Sequence, residues 1–327
     1  MKVLAGDVGG TTTRLAVFEV AGGGLLGIRE QSFVSAAASG LGEILEEFLE
    51  GRGAECRAAC FGIAGPVTGR RVQITNLPWV VDADALEQET GISPAVLIND
   101  LEATAWGAVR LGDGEMCRLN MGSDDARGNG AVIAAGTGLG EAGIYWDGHF
   151  MRPFACEGGH TGYAPTDELG DGLLQFLRQR HGDAVSWERV LSGPGLADLY
   201  RYMLERAGRP APEWFIEAAR AGDPTPAIAA AGLENRCEVC ARTLEFFARL
   251  YGEEAGNLAL KIMATGGVWV GGGIAPKLLP VLESGAFMEG FLAKGRMRPL
   301  LESMPVRVIL DDRAALYGAA HRAATAV

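Results

Sequence analysis

Residues 156–165 read CEGGHTGYAP, which sets a carboxylate, Glu157, and an imidazole, His160, either side of a double glycine. Glycines at 158 and 159 predict a tight turn with backbone angles that a Cβ would forbid. Such a turn could aim Glu157 and His160 at one point, an acceptor beside an imidazole. A lone Glu-x-x-His also fits an ordinary surface turn, so the stretch needs company to carry chemistry.

Two glycine turns supply it. GDVGGTTT, residues 6 to 13, follows a strand-like run, and its glycines let backbone N–H groups approach a ligand closely. Gly6, Asp7, Val8, Gly9, Gly10, Thr11 and Thr12 form this candidate phosphate cradle, with hydroxyl donors at Thr11 and Thr12. Asp7 can hold a magnesium ion through water. Gly136, Thr137 and Gly138 offer the same chemistry further along. Walker A and the Rossmann G-x-G-x-x-G are both absent. Either turn alone reads as a plain hairpin turn; the pair, each after an apolar strand, fits a phosphate clamped between two halves. Asp100 ends AVLIND where a helix begins, at the carboxyl edge of a sheet, the usual ligand edge in α/β folds. The same placement suits a helix cap.

These residues need elements to hold them. KVLAGD, RLAVFEV and LLGIREQSFVS read as three successive strands. Leu41, Ile44, Leu45, Phe48 and Leu49 recur at helical spacing. AACFGIAG is a further strand, Asp82 caps a short helix ending near Gly91, and the strand AVLIND runs into the helix LEATAWGAVRL. AVIAA, a glycine turn, EAGIYW and HFMRPFA then repeat the opening strands about 125 residues later, which predicts two related α/β halves. Helices follow to about residue 265, then GGVWVGGGIAPK, VRVIL and a closing helix. The polar, glycine-rich NMGSDDARGNG reads as disordered.

Bulk properties narrow the classes. The chain has 327 residues, 48% hydrophobic and 21% charged, ordinary for a globular protein with room for two cores. A net charge of −12 argues against nucleic acid or an anionic membrane as partner. No apolar run approaches the ~18 residues of a spanning helix, and Asp7 interrupts any signal-peptide stretch, so a cytoplasmic protein is expected. Six cysteines fit that compartment as free thiols, and Cys237 and Cys240 read as small residues on a helix face rather than half a zinc site.

DVGGTTTRLAVF, IAGPVTG, TNLPW, INDLEATAWG, GTGLG, EGGHTGYAP, ERVLSGPG and GGVWVGGGIAPK together resemble, in order, the motifs of bacterial-type ATP-dependent glucokinases. The resemblance runs from residue 3 to about 320. It implies the actin-like, ribonuclease-H-like fold of the hexokinase superfamily, an α/β architecture of two domains with a cleft between them. Residues 1–109 with 311–327 would form the small domain and 110–310 the large one. It further implies that Asp100 deprotonates the 6-hydroxyl of glucose, and that Asn76, Asn99, Glu157, His160 and Glu188 hold the sugar. Gly271, Gly272 and Gly273 would lie against the adenosine; a tight turn before a helix starting near Pro276 is compatible with that. ATP, Mg²⁺, a homodimer and the cytoplasm complete the expectation. This chain has Thr12-Thr13 where the family usually has Asn-Ala, and Gly65 where relatives often carry Cys. The cysteine-rich zinc motif of the related repressor and open-reading-frame kinase group is missing. His149, His181 and His321 match no site motif. Three alternatives stay open at this point: a kinase for another hexose or amino sugar, a sugar-sensing repressor, and a non-catalytic actin-like ATPase. An N-terminal helix-turn-helix has no room before residue 3, and acidity argues the same way against the repressor.

Overall fold

The computed structural model describes residues 1–75 and 77–327. The chain forms two compact units, one of Met1–Asp113, Ala142–Ala155 and Asp311–Val327, the other of Gly114–Glu141 and Cys156–Leu310.

The first unit opens with β1 (Lys2–Val8), β2 (Thr12–Ala21) and β3 (Gly24–Val34). Helix α1 (Leu41–Leu49) follows, then β4 (Cys56–Ile63), β5 (Arg71–Gln73), β6 (Val80–Asp82), α2 (Ala83–Thr90), β7 (Ala95–Asn99) and α3 (Asp100–Ala108). The sheet order is β3-β2-β1-β4-β7, antiparallel across β3-β2-β1 and parallel across β1-β4-β7. Period-2 alternation splits this sheet's side chains. Leu4, Val8, Leu15, Phe61 and Ile63 pack with the five apolar residues of α1, all buried as their spacing predicts. Val3, Ala5, Ala16, Phe18 and Cys60 pack on the other face with Leu316, Ala319 and Ala320. Asp82 caps α2 by accepting from the Asp84 and Ala85 N–H groups.

The remaining strands are β8 (Met116–Asn120), β9 (Gly130–Ala135), β10 (Leu139–Trp146), β11 (Met151–Cys156), β12 (Gly267–Gly271) and β13 (Val306–Ile309), ordered β11-β10-β9-β12-β13-β8. A three-strand meander followed by added strands thus recurs, β1 to β3 then β4 and β7, and β9 to β11 then β12 and β13. In chain order the helices of the second unit are α4 (Glu168–His181), α5 (Gly193–Arg206), α6 (Glu213–Arg220), α7 (Thr225–Leu233), α8 (Glu238–Ile262), α9 (Leu279–Glu283), α10 (Ala286–Leu292) and α11 (Arg298–Glu302). The last helix, α12 (Ala314–Ala324), returns to the first unit, where a Cβ at Gly318 would lie 1.8 Å from the Ala103 carbonyl oxygen of α3. A Cβ at Gly107 would sit 2.0 Å from the Ala314 oxygen, so backbone touches backbone at both points. That contact fixes α3, and with it Asp100.

Three expectations change here. The NMGSDDARGNG segment is tied down rather than loose: Ser123 N–H donates to Ser303 O at 2.9 Å, Thr265 Oγ1 to Arg127 O at 2.8 Å, and Asn129 Nδ2 to Ile262 O at 2.9 Å. Its polar groups find partners on neighbouring loops, which composition does not reveal. Cys237 does not lie on the helix face with Cys240: Cys240 is buried in the first turn of α8, while Cys237 is the N-cap, accepting from Cys240 N–H. No helix starts near Pro276, because turns run on to α9 at Leu279, where Pro280 takes the first turn. Among the described residues no helix is long and apolar enough to cross a membrane.

Candidate active site

In the first unit the parallel strands β1, β4 and β7 bring the candidates to one edge. Asp7 pairs with Gly62, and Gly62 with Ile98, two residues before Asp100. A Cβ on Gly62 would come within 2.7 Å of the Ala103 side chain and 3.7 Å of the Asp100 Cα, so glycine lets α3 start close against the sheet. The capping task expected of Asp100 belongs to Asn99, whose Oδ1 accepts from Leu101 N–H at 2.8 Å and Glu102 N–H at 3.3 Å. Asp and Asn cap almost equally well, and β7 ends one residue earlier than the pattern suggested. Asn99 Nδ2 donates to Gly65 O at 3.0 Å, which uses one of its two N–H groups. Asp100 is instead the first helical residue, with Oδ1 accepting from Leu101 N–H at 2.9 Å.

The first glycine turn closes through Gly9 N–H to Thr12 O at 3.0 Å. Thr11 and Thr12 are exposed; Gly6 and Val8 are buried within β1, and the space a Gly6 side chain would need is filled by Phe61. Those two positions therefore serve packing. Thr13 is buried, its hydroxyl 3.0 Å from that of Ser35, which in turn donates to Gly9 O at 2.8 Å. Ser35 thus braces the turn, a role invisible in sequence because Ser35 lies 22 residues away. Burial pushes the Asp7 carboxyl up to about 6; Arg14 opposes the rise and Asp312 adds to it. One carboxylate suits magnesium, which keeps most of its waters and takes the rest of its ligands from phosphates; among the described residues no group of three His, Cys, Asp or Glu forms a metal cluster.

In the second unit three stretches far apart in sequence converge. Gly136 N–H donates to Gly138 O at 2.8 Å, closing the β9–β10 turn, and Gly193 N–H donates to Gly136 O at 2.9 Å. Glu188 reaches the same turn: its Oε2 accepts from Leu139 N–H at 3.1 Å and would lie 2.4 Å from a Cβ on Gly138. Glu188 is therefore half-buried and engaged, not an exposed helix glutamate. The 3₁₀ turn Gly158–His160 packs alongside, with Trp187 N–H donating to Thr161 O at 3.0 Å. Within it Glu157 Oε2 and His160 Nε2 lie 3.9 Å apart, both exposed. The double glycine is needed for space and not for angle. Neither residue has positive φ. A Cβ on Gly158 would fall 1.8 Å from Glu141 Oε2, and one on Gly159 would fall 2.1 Å from Leu139 O. Pro165 closes the segment against α4, where a Cβ on Gly170 would meet it at 2.9 Å.

Gly271 to Gly273 lie beside the second turn. Gly272 has φ of +81°, and a Cβ there would also strike Ala135 O at 2.3 Å, so only glycine fits. Ile274 N–H donates to Ala135 O at 3.2 Å. Beneath both turns is the buried Tyr251 of α8, whose hydroxyl accepts from Ala135 N–H at 3.0 Å and faces Gly271 O at 3.1 Å. Asn76 lies outside the described residues. His181 is paired with buried Asp198 at 2.7 Å, and burial drives His321 down to about 4, so both are structural.

The glucokinase family profile matches residues 4–326. The chain belongs to the glucokinase family. It is 39% identical to a glucokinase of Nostoc punctiforme over 97% of each chain. Its fold is that of the glucokinase from an Antarctic psychrotroph, with a TM-score of 0.87 and 31% identity over 99% of both chains. A glucokinase of Streptomyces griseus, solved with glucose and AMPPNP, shares the actin-like fold at a TM-score of 0.64 and 22% identity, covering 99% of this chain and all of that one.

Proposed function

We propose that the protein transfers the γ-phosphoryl group of ATP to the 6-hydroxyl of glucose, releasing ADP and glucose 6-phosphate. Family membership over residues 4–326 is the observation that carries the reading. The arrangement of side chains supports the division of labour. Asp100, in the first turn of α3 beside the Asn99 cap, takes the proton of the 6-hydroxyl as that oxygen attacks phosphorus. Asn99 offers one N–H to a neighbouring hydroxyl. Glu157, His160 and Glu188 accept from or donate to the remaining hydroxyls, and Asn76 belongs to the same set. A missing or inverted hydroxyl would leave one of these groups unpaired, which is how such a site discriminates between sugars.

The backbone N–H groups and hydroxyls of Gly9 to Thr12, and those of Gly136 to Gly138, hold phosphate oxygens. Gly271 to Gly273 give the adenosine close access to backbone. Asp7 is the residue that would hold a hydrated Mg²⁺, which supplies charge neutralisation for the transferring phosphoryl group. A homodimer in the cytoplasm, feeding glycolysis, is the setting that the family resemblance supports. The test is ADP release from ATP measured against a panel of hexoses and amino sugars. Glucose should be the preferred acceptor, and a stronger preference for another sugar would reassign the substrate.

A further inference from the structure

The turn that presents Glu157 and His160 rests on β10 through its two glycines. Gly159 sits on the Leu139 carbonyl and Gly158 on the Glu141 carboxyl, residues two apart on the strand. Glu141 is 1% exposed, and among the described residues no donor reaches either carboxyl oxygen. A buried carboxyl without a donor is costly, and the cost multiplies if it carries charge. We propose that Glu141 is a positioning residue for glucose: its carboxyl is the floor beneath Gly158 that sets where Glu157 and His160 reach. This rests on the reading that those two residues bind the sugar.

The floor holds only while Glu141 is neutral. Helix α8 faces it with Glu254, fully buried, and with Tyr251 and Lys261. Glu254 accepts from Asn257 Nδ2 at 2.8 Å and from Lys261 Nζ at 3.3 Å, and Lys294 Nζ donates to Asn257 Oδ1 at 2.7 Å. From β11, just before the turn, Cys156 comes within reach of its charge. Burial first, then the charge of Glu254, push Glu141 up to about 8, with Lys261 opposing. The neutral acid carries an O–H, and Glu254 is the acceptor at hand, so one proton serves the pair. The folded value is above the ordinary one of 4.5, so the favourable state persists at neutral pH and is lost as pH rises through about 8. Past that point Glu141 is a carboxylate beside Glu254, and the like charges drive it from its place under Gly158, so the turn loses its seat.

The experiment is steady-state kinetics from pH 6.5 to 9.5, varying glucose and ATP in turn, on wild type, Glu141→Gln and Glu157→Gln. KM for glucose in the wild type should rise about tenfold between pH 7 and pH 9, as expected for a single proton lost near 8, with KM for ATP within about twofold. Glu141→Gln stays neutral throughout, so its glucose KM should be flat. A flat wild-type profile, or a rise that survives in Glu141→Gln, overturns the proposal. Glu157→Gln separates it from the site reading: an unchanged glucose KM there removes Glu157 from the sugar site, whatever Glu141 does. If Glu141→Gln does not fold, infrared titration of the wild type decides. A protonated-carboxyl band that disappears near pH 8 supports the proposal, and the absence of such a band at pH 7 overturns it.

Discussion

Asp100→Asn separates catalysis from architecture because Asn99 and Asp100 divide the end of β7 between them. Asn99 carries the cap of α3 and the bond to Gly65 O. The substitution at 100 therefore leaves both in place, and an asparagine Oδ1 can still accept from Leu101 N–H as Asp100 does at 2.9 Å. What folding loses is one negative charge in the first turn of a helix, about 0.3–1 kcal/mol. For a domain of this size that is roughly 1–4 °C in Tm. Catalysis loses the base, a fall of about 10²–10⁴ in kcat, or roughly 3–5 kcal/mol of barrier. The assay is ADP release at saturating glucose and ATP, with thermal unfolding and calorimetric glucose binding on the same preparation. A kcat within tenfold of wild type, in a protein of normal Tm that still binds glucose, would refute the assignment. Asn99→Ala is the counterpart: it removes the cap and the Gly65 bond, so Tm should fall further there, by an amount matching about 1–3 kcal/mol.

Further outcomes are expected at three places in the molecule. The apparent magnesium constant should weaken about tenfold per pH unit below about 6, because a protonated Asp7 cannot hold the cation; an acid limb unchanged in Asp7→Asn would contradict this. The same raised value means that ionised Asp7 costs stability once pH passes from 3.8 through about 6, so Asp7→Asn should unfold at a higher temperature than wild type at pH 7.5. Tyr251→Phe keeps the buried ring and deprives Ala135 N–H of its partner, costing about 1–3 kcal/mol of stability; KM for ATP should rise while that for glucose stays put, and equal shifts would show a general loosening instead. His160→Ala should lower kcat/KM for glucose roughly 5- to 150-fold, Glu157→Gln should raise KM for glucose, and KM for ATP should remain within about threefold in both; the loop is structural if the ATP constants move as much.

Local patterning made much of this molecule legible. The five apolar residues of α1 are buried where a period of 3.6 puts them, and the Asp82 cap is where its side-chain chemistry puts it. The repeated meander was readable because a glycine turn between two apolar strands is a short-range signal. Strands β5 and β6 escaped because three residues carry no periodicity, and β8 escaped because its strand partner is β13, far along the chain. The order of Asn99 and Asp100 turned on a single residue of strand length, which propensity cannot resolve.

The misreading of Gly158 and Gly159 has a more general cause. A glycine in a motif advertises that no side chain fits, yet its letter does not say whether angle or space forbids one. Gly272 is forbidden on both counts; Gly158 and Gly159 are forbidden by β10 alone. Angle is a property of the turn and can be inferred from neighbouring letters. Space is a property of what lies beneath, and here that is Glu141 and Leu139, a strand away. The same holds for the braces: Ser35 under the first turn and Tyr251, 116 residues from Ala135, under the second. Each braces a glycine turn through a single hydroxyl, and each is an unremarkable letter in its own segment. The residues proposed to touch substrate announce themselves because turns that approach a ligand closely need a narrow set of residues. The groups that hold those turns still are chosen by distant packing, so they come into view only when the chain is folded.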